Sequence, residues 1–128
     1  MGKKIIGQGG QLTLTPAMFH ILLALAARER HGYGVMQDVA RLSEGRLRIG
    51  PATLYRSLGD LLAAGYIAEI GERPAPDLDD ARRRYYRLTE TGRCAVEAEV
   101  TRLERLIRTA RATPLFASPG PLLGEGND

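Results

Sequence analysis

A chain of 128 residues, 44% hydrophobic, with a net charge of +3 and one cysteine, is one domain by length and has room for a core of modest size. No run approaches the roughly 18 apolar residues of a membrane span, and the start MGKKIIGQGG lacks the apolar stretch of a secretory signal, so a soluble, cytosolic protein is expected. Cys94 cannot close an intramolecular disulfide, and His20 and His31 stand apart from any metal-ligand spacing, so neither metal nor cofactor is expected.

Residues 1–14 are glycine-rich, carry Lys3 and Lys4, and show no apolar period, which predicts a flexible basic arm. Thr15 followed by Pro16 is an N-cap and first-turn signature. The helix it opens, over about 16–30, has one stripe of Met18, Ile21, Leu22 and Leu25 and a second of Phe19, Leu23 and Ala26. A helix apolar on two sides is buried on two sides. In so small a domain the second side needs another surface: a subunit contact involving Met18 and Leu22, or a pocket of Met18, Phe19, Leu22 and Leu23 for a flat hydrophobic molecule.

His31-Gly32-Tyr33-Gly34 interrupts the period, and a second short helix is expected over about 34–44, closed by Gly45. Residues 45–50 then turn into a third helix, from Pro51 to just before Gly65. Leu54, Leu58, Leu61 and Leu62 form its inward stripe, and Thr53, Arg56, Ser57 and Asp60 its polar face, with Arg46 and Arg48 just ahead. Residues 15–65 hold six arginines against four acids, so the basic excess gathers around this helix. Two short helices joined by a tight turn, the second with a small cationic outer face, make a helix-turn-helix of the kind a major groove admits. Arg56 suits guanine or a phosphate; Thr53 and Ser57 suit base edges or backbone. Tyr55, at the edge of the stripe, has two readings: a ring in the core with its hydroxyl on a phosphate, or a ring outside the core.

After Gly65 the period falls to 2. Residues 66–70 and 84–88 read as strands, with 72–82 as the loop between them. A helix-turn-helix followed by a hairpin is a winged helix. Arg82, Arg83 and Arg84 open the return limb, placed to lie along a phosphate backbone, whereas Asp77, Asp79 and Asp80 at the tip would be repelled by it. Tyr85 and Tyr86 point to opposite faces, one toward the core. A last helix, over 90–111 with Thr89 or Thr91 as cap, carries Val96, Val100, Leu103, Ile107 and Ala110 at the alternating spacing of a coiled-coil seam, together with a Glu104–Arg108 pair. Such a seam predicts a partner helix. Cys94, near this helix start, is either a thiol sensor or an idle cysteine. Residues 112–128 read as a disordered tail.

These segments, LTPAMFHILLAL, HGYGVMQDV, GPATLYRSLGDLLAAGYI and RRRYYRLTETGR, in this order and spacing, resemble the PadR family of transcriptional regulators over about residues 14–111. The single C-terminal helix resembles the short-tailed branch of that family. The resemblance implies a mainly α fold with a small β-hairpin, a winged helix-turn-helix over 15–89 and a dimerisation helix over 90–111. It further implies a homodimer on a palindromic operator in double-stranded DNA, usually a repressor, released in many members by a small molecule. Carried over, the family's recognition positions fall on Pro51, Ala52, Thr53, Tyr55 and Arg56, its wing basic positions on Arg82, Arg83 and Arg84, and a position beside the DNA surface on Tyr33. The acidic, proline-broken tip departs from shorter relatives and argues against minor-groove insertion. A winged helix that binds protein and not DNA is the competing expectation, favoured by the acidic tip and opposed by the arginines. No nucleophile–base–acid set and no phosphate-binding glycine loop points to an enzyme.

Overall fold

The computed structural model describes residues 12–74 and 82–117. Helix α1 spans Pro16–Ala27, its first turn capped by Thr15, whose hydroxyl accepts the Met18 N–H at 3.1 Å. Met18, Ile21, Leu22 and Leu25 are buried, as the first stripe predicts. The helix ends three residues earlier than its period suggests, because Arg30–His31 form a short strand, β1. That strand is too brief to leave a periodic signal and was not expected. The arm is also shorter than predicted: Leu12 is buried, and its N–H donates to the Tyr66 hydroxyl at 3.0 Å. Lys3 and Lys4 lie outside the described residues.

Helix α2, Gly32–Leu42, begins inside the HGYG segment rather than after it. His31 makes this possible. Its Nδ1 accepts the Gly34 N–H at 3.0 Å, capping the first turn, which requires that ring nitrogen to be unprotonated. At the other end the Gly45 N–H reaches the Ala40 carbonyl and the Glu44 N–H the Arg41 carbonyl, with Glu44 itself at φ 55°. This is the Schellman closure, here with a non-glycine in the left-handed position.

Helix α3, Pro51–Ala63, buries Leu54, Leu58 and Leu61 and half-buries Leu62, the predicted stripe. Gly65, at φ 78°, closes it with a second Schellman pair: the Tyr66 N–H to the Leu61 carbonyl and the Gly65 N–H to the Leu62 carbonyl, both 3.0 Å. Strand β2, Ile67–Pro74, then pairs antiparallel with β3, Arg82–Leu88, and β3 pairs on its far side with β1. The expected hairpin is thus a three-stranded sheet in the order β1-β3-β2. Both limbs run further than predicted: Glu72 pairs with Arg84, Arg73 with Arg83 and Pro74 with Arg82, beyond an irregularity between Glu69 and Glu72. An edge strand tolerates the proline, and the shift in register hides the limb from a strict period of 2. Asp77, Asp79 and Asp80 lie outside the described residues.

Helix α4, Glu90–Ala112, follows at once, and a short helix α5, Pro114–Ala117, occupies the start of the expected tail. Thr89 caps α4: its hydroxyl accepts the Gly92 N–H at 3.0 Å and donates to the Gly65 carbonyl at 2.6 Å. The chain divides into two compact units after Val96. In the first, α1 packs on α2, α3 and β3, and α3 on β2. Ile21, Leu22, Val35, Val39, Leu54, Leu58 and Leu61 are its fully buried centre. This is the mainly helical winged-helix fold with a small antiparallel sheet. The core stops at Tyr66, Ile67, Tyr86 and Val96. Tyr86 is therefore the inward tyrosine, and burial, with Glu69 and Tyr55 nearby, pushes its phenol above the ordinary value despite Arg84.

Candidate nucleic-acid interface

The leucines that anchor α3 decide what it shows. Pro51, Ala52, Tyr55, Arg56 and Gly59 are exposed, one side of the helix two turns long. The outer face is rotated from the one expected. Thr53 and Asp60 are half-buried, and Ser57 is only 6% exposed. Ser57 therefore does not stand on the exposed side of α3. The reason is packing: α1 and Leu47 cover that flank of α3, and helical period alone cannot say where the covering element ends.

The N-terminus of α3 is electrostatically open. Its N-cap, Gly50, supplies no side-chain acceptor, and no acid lies in its first turn. The positive end of the helix dipole and the unclaimed N–H groups are thus available to an anion. Arg48 and Arg46 are exposed just ahead of it and Arg56 one turn in. None of the three makes an ion pair within the described residues. Five other arginines are neutralised. Arg30 and Arg41 meet Asp38, Arg84 meets Glu69 at 2.5 Å, Arg93 meets Glu90 and Arg102 meets Glu99. Three of the arginines without an internal partner among the described residues thus stand at the start of α3; Arg28, Arg87, Arg105, Arg108 and Arg111 are the others.

Tyr55 is 55% exposed, so its ring is outside the core, one of the two alternatives its place at the edge of the stripe leaves open. Its hydroxyl comes over Gly32, where an added Cβ would stand 2.9 Å from it. Tyr33, 44% exposed, follows Gly32 in the first turn of α2. The structure therefore brings together the starts of α2 and α3 with Tyr33, Ala52, Tyr55 and Arg56. The mechanism is visible in the HGYG segment, which the sequence presents only as a break. Gly32 leaves room for Tyr55. Gly34 leaves room for the Arg30 guanidinium, which would lie 2.4–2.6 Å from a Cβ there. That guanidinium donates to the buried Asp38 carboxylate at 3.0 Å and ties β1 to α2. The pairing of Arg30 with Asp38 left no sequence signal beyond two small residues beside an arginine.

On the wing, Arg84 is exposed and paired with Glu69 across the sheet. A surface pair of this kind is worth at most about 1 kcal/mol and exchanges readily for a phosphate. The side chains of Arg82 and Arg83 lie outside the described residues.

Residues 21–98 match the model of the transcriptional regulator PadR-like family, more than half of the chain. The protein belongs to the PadR-like family. Solved structures share the fold. A transcriptional regulator from Clostridium thermocellum is 21% identical with a TM-score of 0.63, over 77% of this chain and 89% of that one. A PadR family regulator from Clostridium difficile R20291 is 18% identical with a TM-score of 0.60, over 76% and 95%. Bacillus subtilis PadR in complex with operator DNA is 19% identical with a TM-score of 0.53, over 65% of this chain and 45% of that one. No curated protein matches the sequence. The PadR-like family is one of transcriptional regulators and not of enzymes.

Two other expected sites of this PadR-like chain are altered by its packing. Met18 and Leu22 are buried in the core of their own unit, and Phe19 and Leu23 are half-buried and packed against that core. Val96 likewise belongs to that core. In the second unit Val100 and Ile107 are exposed at 36% and 54%, with Leu103 and Ala110 half-buried. Leu106, Leu115 and Phe116 are also more than half exposed, and the sequence reading missed them: Leu106 lies off the seam, and the other two fall in the presumed tail. Among the described residues Glu104 and Arg108 form no ion pair, whereas Glu90 pairs with Arg93 and Glu99 with Arg102, each three residues apart. Hydrogen bonds from these arginines hold the Glu90 and Glu99 carboxyls below the usual carboxylate range. Cys94 is exposed, with its thiol 3.8 Å from Glu90. Among the described residues no helix is long and apolar enough to cross a membrane.

Proposed function

We propose that this PadR-like protein is a cytoplasmic homodimeric repressor that binds a palindromic operator in double-stranded DNA. Helix α3 enters the major groove, and the β2–β3 wing runs along the backbone. The observation that carries this reading is the exposed Ala52–Tyr55–Arg56 side of α3, with Arg46, Arg48 and Arg56 lacking any internal counter-ion among the described residues. Arginine without an internal partner is the residue that grips guanine or phosphate. Bacillus subtilis PadR, whose fold this chain shares, has been solved on operator DNA, which supports the same use here.

Two copies of α3, about 34–36 Å apart, meet successive major grooves when the chain is paired. The seam of Val100, Leu103, Ile107 and Ala110 is the pairing surface. Release by a small hydrophobic effector belongs to this reading as well; with Met18 and Leu22 withdrawn into the core, Phe19 and Leu23 are the residues left to meet it.

Arg56→Ala tests the interface directly. The side chain is exposed, so the fold is retained. Losing one arginine contact is expected to weaken binding by about 1–3 kcal/mol, roughly 5- to 150-fold. A gel shift on a duplex enriched by the protein from a random-sequence pool reads this, and unchanged affinity removes Arg56 from the interface.

A further inference from the structure

Between the start of α1 and the covered flank of α3 lies a cleft of about 410 Å³. Pro16, Met18 and Leu47 give it apolar walls, and Thr53, Ser57 and Arg56 bring two hydroxyls and a guanidinium to it. Ser57 is the unusual member. It is 94% buried, it lines the cleft, and its hydroxyl has no hydrogen-bond partner in the described residues. A hydroxyl with no protein partner, facing a cleft open to solvent, is left to bond whatever enters the cleft, water or a ligand oxygen.

The α1 end of the cleft supplies a second donor. Thr15 caps the Met18 N–H, the Phe19 N–H bonds the Thr15 carbonyl, and Pro16 has none, which leaves the Ala17 N–H without an acceptor at the positive end of the helix dipole. No acid lies in that first turn. Asp60 also borders the cleft, and it is engaged in an interaction of its own.

Two neutral donors and a guanidinium beside apolar walls match one repeating unit of a nucleic-acid strand, an anionic phosphate joined to a sugar with apolar faces. We propose that this cleft seats one sugar–phosphate unit of the DNA strand flanking the groove that α3 enters. The Ser57 hydroxyl and the Ala17 N–H donate to the phosphate, and Arg56 neutralises it. The proposal rests on the DNA-binding reading and extends it: Ser57 reads no base and fixes the height at which α3 sits. A helix lying in a major groove is flanked by the phosphate backbone, and this flank of α3 is the one α1 covers.

Ser57→Ala is the test, on the full-length protein with a duplex enriched from a random-sequence pool. Removing an unpaired buried hydroxyl leaves the melting temperature unchanged or raises it, whereas affinity for the duplex falls roughly three- to tenfold. A scan with single methylphosphonate substitutions locates the unit: one position weakens the wild type and has no added effect on Ser57→Ala. Equal affinity of the two proteins, or additive losses at every position, overturns the cleft assignment while leaving DNA binding intact. Failure of the wild type to enrich any duplex overturns both. Titration of inorganic phosphate into labelled protein separates a strand from a free anion. Shifts of the Ala17 and Ser57 amides that duplex does not compete away assign the cleft to the free anion and also overturn the proposal.

Discussion

At Gly92 the first turn of α4 passes so close to the end of the α3–β2 connection that a Cβ would stand 2.0 Å from the Tyr66 carbonyl oxygen and 2.8 Å from Leu88. That carbonyl accepts the Thr89 N–H at 3.0 Å, so it cannot turn away without breaking the junction. Gly92→Ala is therefore expected to lower stability by about 1–3 kcal/mol or more, the range for overpacking a tight contact, measured by urea unfolding; stability equal to wild type shows that the junction yields. Thr89 was legible as a cap because its chemistry is local. The need for glycine three residues later was not, since the atom it avoids belongs to another element. Ser57 teaches the same lesson in reverse. Its polarity and period put it outside, and only the covering start of α1 puts it in.

The helix-turn-helix is held by more than its leucines. Arg30 is 19% exposed and Asp38 6% at their side chains, and their 3.0 Å pair joins β1 to α2 with Gly34 beneath the guanidinium. Removing one member of a buried pair strands the other, at a cost of about 3–5 kcal/mol. Arg41 still reaches Asp38 at 3.5 Å, which places Arg30→Ala at the lower end of that range. Adding Asp38→Ala to that variant is expected to recover part of the loss, since no buried charge then remains unpaired. Denaturant midpoints of the two single variants and the double variant check this, and strictly additive losses refute the coupling. Helix α3 was the most legible element, because four leucines at helical spacing, a proline start and a glycine stop agree with one another. Helix α2 was misread at its start. A histidine cap and two glycines look like a loop until the neighbours that fill the glycines' space are known.

For the molecule as a whole, the two units differ in how well each covers its apolar residues. The first closes a core around Ile21, Leu22, Leu54 and Leu58, whereas the second leaves Val100, Leu106, Ile107, Leu115 and Phe116 at least 36% exposed. Apolar side chains concentrated on a helix of 23 residues and the short helix after it favour association. The full-length protein is expected to sediment as a dimer and Leu103→Glu as a monomer with the first unit still folded. A monomeric wild type refutes pairing through α4. Loss of the dimer also lowers affinity for a two-site duplex more than for a single half-site, since the second contact is no longer intramolecular.

What the sequence by itself determined is the order and kind of the elements and the inward stripe of α3, all of which depend on periods and caps within a few residues of chain. The mainly helical winged fold and the family were legible for the same reason. Tertiary structure alone decided which side of α3 is free, that Met18, Leu22 and Val96 belong to the core, that β1 completes the sheet, and which arginines keep their charge unspent. Each of these depends on contacts between residues far apart in sequence, and burial is set by what packs over a residue and not by the residue itself.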